Sequence, residues 1–464
     1  MHVRRSFAAS LVVAVIASAC ASTGDDASTT TRPQNKPTAA PATSTTLGPL
    51  EDLGHGVTKD SIKIGLVYID YSTIADFVDF QRGDQEKIAQ AFVDDVNANG
   101  GVLGRKLVPV YKKYIPIPGT NVFSTTVCTE LTDDEDVFAV LGVVYDATGR
   151  AQLCLSKDHQ TIHIGHEMSE EWLNASKGLM LTPDSTKEAK IRVLFALLKR
   201  EATLQNRKKA VTLTDQDGVK LVERSVNPAL KSLGIPLGTA GVLAIAGTDT
   251  AEAQSQLQTY LSTWEAEGVD TIVLVSELVS AKQFTEVIRA KFPNVQLIAA
   301  VSTGVGAEAK DEIIAKRSPN PYEGILTVEG VTELTRYASP KTQACIKIYE
   351  EATKSKVNGP DNPKIVKGDR DESYVAIQDF CGEIAMFVTI AERVGRTLTN
   401  ENWMKTVDSF GSIEIVPTDI ASLGANKYYA DDAQSLVAWD SSLNGGKGGW
   451  KHLTKVEDTF ELSK

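Results

Sequence analysis

Short apolar runs rich in β-branched residues recur along this chain, and the stretches between them repeat their apolar residues at helical spacing. The first run, Ser61-Ile-Lys-Ile-Gly-Leu-Val-Tyr-Ile69, reads as a buried strand, because a strand covered on both faces needs a near-continuous apolar run. A helix follows with Ile88, Ala91, Phe92 and Val96 on one face. It stops at Asn99-Gly100-Gly101, where glycine takes the left-handed conformation that closes helices. Strands are expected at Lys106–Tyr111, Val137–Val144 and Thr161–Ile164, with helices through Cys128 and Leu153 between them. After a long helix over Ser185–Arg200 a second series begins. It runs through a strand at Lys209–Thr214, a helix carrying Val222, Val226 and Leu230, and a strand at Thr271–Val275. A helix over Ala281–Lys291 and a strand at Gln296–Val301 complete it. Strands alternating with helices build parallel sheets from βαβ units, so the expected fold class is α/β with two doubly wound parallel-sheet lobes. Ligands of such sheets bind beyond the strand carboxyl ends, which directs attention to the loops after Ile69, Val144, Ile164, Thr214, Val275 and Val301.

The N-terminus carries a different signal. Arg4 and Arg5 precede an apolar stretch from Phe7 to Ala19, too short to span a bilayer comfortably and flanked like a signal peptide. It ends in Ala17-Ser-Ala-Cys20, which resembles the lipobox of bacterial lipoproteins, where the cysteine is lipid-modified; an ordinary secretory signal is the alternative. Residues 1–19 are thus expected to be a signal peptide and 20–55 a lipidated, disordered tether. Ala21 to Leu50 is rich in Thr, Ser, Ala and Pro and has too little apolar surface to offset its ordering entropy. As a flexible coil it reaches about 30 Å. The formal net charge is −12 with no basic stripe, so no nucleic acid partner is expected. No later stretch reads as a membrane span. Four cysteines remain after Cys20, an even number that suggests disulfides in an exported chain. Cys128 and Cys154 lie on successive helical segments, as do Cys345 and Cys381, and these local pairs are expected; four buried thiols are the alternative.

Two stretches, Gly56-Val-Thr-Lys-Asp-Ser-Ile-Lys-Ile-Gly65 and Val96-Asn-Ala-Asn-Gly-Gly-Val-Leu-Gly-Arg-Lys-Leu107, resemble the type I periplasmic binding proteins, above all the branched-chain amino acid (leucine/isoleucine/valine) branch. Asp371-Glu-Ser-Tyr-Val-Ala-Ile377 and the apolar helix it opens resemble that family's late helix. The resemblance covers the chain from about Gly56 to its end. It implies two lobes joined by a three-segment hinge, with residues 57–182 plus 329–412 in the first lobe and 183–328 plus 413–460 in the second. It also implies closure of the cleft on a small-molecule solute and recognition of the closed form by an ABC permease. The expected location is the cell envelope, on the extracytoplasmic face of the membrane. A lipoprotein sensor or partner-binding module using the same fold without transport is the alternative.

The same resemblance shows where this sequence departs from amino-acid binders. The serine that holds the ligand carboxylate aligns with Asp146, followed by Ala147 and Thr148; the threonine position aligns with Ser169, two residues after Glu167. The tyrosine falls near Asp217-Gly218 and the acidic position on Thr303. Only Ser169 is chemically similar. Asp146 would repel a ligand carboxylate, so a neutral polar or cationic solute is expected, in contact with Asp146, Ala147, Thr148, Glu167, Ser169, Asp217, Glu277 and Thr303. Tyr71 and Phe80, with Phe77, follow the first strand and either stack on the ligand at the cleft mouth or pack in the core.

His159, His163, His166 and Glu167 are the densest set of metal-ligand-type side chains. Strand alternation puts His163 and His166 on opposite faces and no His-Glu-x-x-His is present, so no metal is expected; His166 and Glu167 read as cleft lining and His159 as surface. Asp215-Gln-Asp-Gly218 has spacing too short for an EF-hand and reads as a strand-to-helix turn. Gly304-Val-Gly306 lacks the Gly-Lys-Ser/Thr of a phosphate loop, and Gly-x-Ser-x-Gly does not occur. The expected protein is therefore not an enzyme and needs no cofactor. Two or more acyl chains on Cys20 would hold it stably on a membrane. Membrane fractionation should then move the protein from the membrane to the soluble fraction in Cys20→Ala, and equal solubility of both forms would refute the anchor.

Overall fold

The computed structural model describes residues 49–74, 80–115, 126–144, 149–166, 168–244, 251–301, 304–360 and 370–464. Cys20, the signal peptide and most of the tether lie outside them. Five parallel strands form the first sheet: β1 (Ser61–Ile69), β2 (Lys106–Tyr114), β3 (Ala139–Gly142), β4 (Ile162–Ile164) and β5 (Met180–Leu181), in the order β2-β1-β3-β4-β5. Ile64 of β1 pairs with Pro109 and Ala139, so the apolar run first read at Ser61–Ile69 is an interior strand of this sheet, paired on both sides. Both faces are covered. Ile62, Ile64 and Leu66 join one core, while Val67 and Ile69 join another with Cys128 and Cys154. Helix α1 (Gln85–Ala98) starts where Asp84 accepts a hydrogen bond from the Lys87 N–H at 3.1 Å, and buries Ile88, Ala91 and Phe92. Helix α2 (Glu170–Ser176) follows β4.

The second sheet contains β6 (Ala210–Asp215), β7 (Gly241–Leu243), β8 (Thr271–Leu274), β9 (Gln296–Ala299), β10 (Leu326–Glu329), β11 (Ala433–Asp440) and β12 (Gly449–His452). Their order is β12-β11-β10-β9-β8-β6-β7, parallel from β10 to β7, with β11 antiparallel to both its neighbours. On one face pack α4 (Ala251–Glu267) and α5 (Lys282–Lys291) through Leu257, Leu261, Trp264, Phe284 and Ile288, together with α6 (Val305–Ile314). On the other lies α3 (Lys187–Arg200) through Ile191, Leu194 and Leu198. Each sheet thus has helices on both faces, the arrangement expected of parallel strands.

After β10 the chain returns to the first lobe as α7 (Glu333–Ala338), α8 (Pro340–Thr353), α9 (Ser373–Val394) and α10 (Asn400–Asp408). By length and composition α9 could cross a membrane, which corrects the expectation that no such segment follows the signal peptide. It is instead a core helix: Ile377, Phe380, Ile384, Phe387 and Ile390 are buried in the first-lobe core, against Phe138 and Trp403. Two disulfides, Cys128–Cys154 and Cys345–Cys381, form as expected, both in this lobe. They span 26 and 36 residues of sequence, and loops of that size contribute roughly 3–4 kcal/mol each in the chain-entropy account.

The chain crosses between the sheets around Thr182–Asp184, Gly330–Thr332 and Asp431–Asp432. The last crossing comes later than the sequence reading set it. Ile413, Ile415, Ala421, Leu423 and Tyr428–Ala430 pack in the first-lobe core, and only β11 enters the second sheet. The cause is a short antiparallel pair, Gly411–Ser412 with Ser422–Leu423, that folds this stretch back before it leaves. The crossings lie side by side. Thr182 N–H donates to the Tyr428 carbonyl at 3.1 Å and the Ala430 N–H donates to the Thr182 carbonyl at 2.9 Å. Gly330 lies so close to the third crossing that a Cβ there would meet the Ala433 carbonyl oxygen at 2.3 Å. Gly330→Ala should therefore push the second and third crossings apart and lower stability by about 1–3 kcal/mol in urea titrations. An unchanged midpoint would mean that the crossings part without cost.

Candidate functional site

The carboxyl ends of the first-sheet strands deliver a loop after β1, a loop after β4 and the first crossing to one place. Two adjoining hollows open there. One lies between the ends of β1 and β3 and the start of α9, lined by Tyr68, Tyr71, Arg82, Gly142 and Phe380. The other lies among the crossings, lined by Pro183, Asp184, Val331, Arg336, Val416 and Asp431. They share His166 and Asp379. In the first hollow, Gly142 has a φ of 128° and approaches β1 so closely that no side chain fits: a Cβ would lie 2.1 Å from the Val67 carbonyl oxygen.

His166 is the centre of the floor. Its Nδ1 lies 2.8 Å from Asp184 Oδ2, and its Nε2 lies 3.2 Å from Glu383 Oε1 and 3.8 Å from Asp379 Oδ1. Burial works against charge on the imidazole, but Asp184, Asp379 and Glu383 together raise its pKa well above the ordinary value, so it stands as an imidazolium. For Asp184, burial is outweighed by His166, and its carboxyl is held below the usual carboxylate range. Glu383 is fully buried, and burial pushes it up to about 7 even though His166 pulls the other way. Burial also pushes Asp431 up to about 7; its Oδ1 accepts the Ala433 N–H at 2.9 Å and its Oδ2 accepts the Gln434 amide at 3.1 Å. Burial raises Glu329, on the strand leading into the second crossing, as well.

Arg336, on α7, faces the same crossings. Its Nε is buried with no hydrogen-bond partner, and the guanidinium forms no hydrogen bond and no ion pair within 4.0 Å among the described residues. Across the lobes, other charges do pair: Arg192 on α3 holds Glu170 on α2 at 3.1 Å, Arg224 holds Glu171 at 2.8 Å, and Lys310 on α6 holds Glu333 on α7.

The residues singled out from the sequence fall in several places. Asp146, Ala147, Thr148, Glu167 and Thr303 lie outside the described residues, as does Phe77. Ser169 is the N-cap of α2, its hydroxyl accepting the Trp172 N–H at 3.3 Å. Asp217 is exposed in the turn after β6, where Asp215 Oδ1 accepts the Gly218 N–H at 2.9 Å. Glu277 opens a short helix, Glu277–Ser280. Phe80 pairs through its backbone with Arg370, and Tyr71 lines the first hollow with the Arg82 guanidinium 5.9 Å from its ring centre. His166 lines the cleft, whereas His159 is half-buried, 2.9 Å from Asp133, beside the Cys128–Cys154 disulfide. Those sulfurs are bonded to each other, so this group is not a metal site.

Asp184, Arg336, Asp379, Glu383 and Asp431 were not read from the sequence. For Asp379 and Glu383 a signal existed: two acids at i and i+4 in an otherwise apolar helix share one face. The remaining three sit in or beside crossings, which have no periodicity to read.

His163 has a separate role. It is fully buried in β4 beside the Gly142 carbonyl, and burial pushes its pKa down to about 4. A histidine held neutral in the fold protonates first in the unfolded chain. Its stabilisation is complete above pH 6.5 and is lost as pH falls towards 4. Urea titrations should show the wild type losing roughly 2–3 kcal/mol between pH 7 and 4.5 through this group. His163→Leu should flatten that slope, and parallel slopes would overturn the assignment.

The profile of the periplasmic binding protein family matches residues 61–435. No curated protein matches the sequence. Among solved structures, a fatty acid ABC transporter substrate-binding protein from Thermomonospora curvata aligns with a TM-score of 0.59 at 15% identity, covering 89% of this chain and 96% of that one. A solute-binding protein from R. palustris in complex with 4-hydroxybenzoate gives 0.58 at 14% identity, covering 87% and 99%. The branched-chain amino acid substrate-binding protein of Streptococcus pneumoniae, in complex with isoleucine, gives 0.54 at 16% identity, covering 86% and 99%.

Proposed function

We propose, from the premise that this chain belongs to the periplasmic binding protein family, that it is an extracytoplasmic solute-binding lipoprotein. It closes on a small polar molecule and delivers it to an ABC importer. The observation that carries this reading is the floor of the cleft: a charged, partly buried cluster placed where the strand ends of the first sheet meet the crossings. Buried polar groups of this kind suit a ligand that completes their hydrogen bonds and gain little from an apolar one. Family membership implies a location outside the cytoplasm, in keeping with disulfides in the folded body. The structural neighbours belong to ABC transporters, and those solved with isoleucine and 4-hydroxybenzoate hold small polar molecules. Both supports favour transport as the use of the cleft. We assign the protein no catalytic step. The interlobe pairs Glu170–Arg192 and Glu171–Arg224 would be held or remade as the lobes move about the crossings.

Native mass spectrometry of protein purified without denaturation should show a co-purified small molecule. Small-angle scattering should show a more compact particle when that molecule is returned to stripped protein. Protein that carries nothing, and whose scattering no solute alters, would count against the reading.

A further inference from the structure

We propose that Arg336 is the anchor for a carboxylate on the solute, an inference that rests on the solute-binding reading. Among the described residues, its guanidinium faces the hollow between the crossings with no hydrogen bond and no ion pair. A guanidinium presents five donors in a planar fork, and leaving them without acceptors in a half-enclosed site is unfavourable unless something else fills them. The partner that matches the fork is a carboxylate, held by two parallel hydrogen bonds.

The acids nearby do not already serve this purpose. Asp184 is committed to His166 at 2.8 Å. The Asp431 carboxyl receives donors at both oxygens, and at neutral pH a good part of it is uncharged. Glu383 shares His166 and is likewise pushed towards its neutral form. Asp379 also lines this hollow, 3.8 Å from His166, and Asp184, Glu329, Glu333 and Asp431 act on Arg336 only from beyond ion-pair distance, so its guanidinium is the cation there without a close partner among the described residues. Val331, Ile415 and Val416 line the same space, so the anion would sit against low-dielectric walls that strengthen the pairing. The rest of the solute would extend past His166 and Asp379 into the hollow beside Tyr71. This places the acid head at the crossings. It also reverses the expectation of a neutral or cationic solute, which rested on Asp146 and Glu167.

Matched acids and amides test this: 4-hydroxybenzoate with 4-hydroxybenzamide, isoleucine with isoleucinamide, and octanoate with octanamide. Thermal shift and then calorimetry would compare the wild type with Arg336→Gln and Arg336→Lys. At least one acid should bind the wild type and clearly exceed its amide. Arg336→Gln should weaken that acid by roughly ten- to a hundredfold, as expected on losing a charge-assisted hydrogen bond, and leave the amide unaffected. Arg336→Lys should recover part of the loss. Because the side chain makes no bond to the described residues, the ligand-free variants should melt like the wild type. Equal acid affinity in Arg336→Gln, preference for the amides, or a wild type silent towards every acid would each overturn the proposal. A neutral or cationic solute that co-purifies and binds Arg336→Gln undiminished would leave the solute-binding reading standing and remove this one alone.

Discussion

A protonated histidine enclosed by carboxylates can persist out of water only while its charges remain balanced, and His166 imposes that condition on everything around it. Its partners come from different parts of the fold: Asp184 from the first crossing, Asp379 and Glu383 from the core helix α9. One imidazole thereby ties a sheet loop, a crossing and the longest helix together. Removing any one of the three would leave the imidazolium's charge less balanced, which costs far more than the pair contributes. The geometry of the cleft floor is consequently fixed on the first-lobe side before any ligand arrives, and preorganisation of this kind lowers the cost of binding.

The two lobes are built for different degrees of rigidity. Both disulfides lie in the first lobe, and one of them fastens α8 to α9, the helix that carries Asp379 and Glu383. The second lobe has no disulfide among the described residues and meets the first through ion pairs at its rim, where Glu171 and Arg224 are exposed. Exposed pairs of this sort contribute little each and are readily exchanged for water. Such a division suits a receptor whose first lobe holds the polar floor while the second moves.

Much of the fold was legible because parallel strands covered on both faces leave long apolar runs. Ser61–Ile69 and Thr271–Val275 were read within a residue of their observed ends, and the stop of α1 at Asn99 was marked by two glycines. The antiparallel strand Ala433–Asp440 was missed; its Ala-Gln-Ser-Leu-Val-Ala-Trp-Asp mixes polar and apolar residues, and its burial comes from neighbours far away in sequence. Helices expected through Cys128 and Leu153 are present, the second as Arg150–Leu153, and each widens to a π-helical stretch, at Glu130–Asp134 and Cys154–Asp158, beside the disulfide. The site was less legible than the fold. The rule about strand ends pointed to the loop after Ile164, and His166 in that loop lines both hollows. Asp184, Arg336 and Asp431 converge only because three distant crossings lie side by side, which no local pattern encodes.

The placement of residues 413–430 has a consequence for how the chain is made. Their side chains Ile413, Leu423 and Tyr428 finish a core begun by Ile62 and Ile64 near the other end. The greater part of the second lobe is therefore inserted within the first, and only its last strands follow. As the polypeptide emerges amino end first, β1 to β5 can assemble early, yet their exposed face must wait for α9 and then for the stretch around Tyr429. Cys381 likewise emerges only after most of the second lobe has been synthesised. Both halves are thus completed only late in synthesis, the first when Tyr428–Ala430 close its core and the second when β11 and β12 join its sheet.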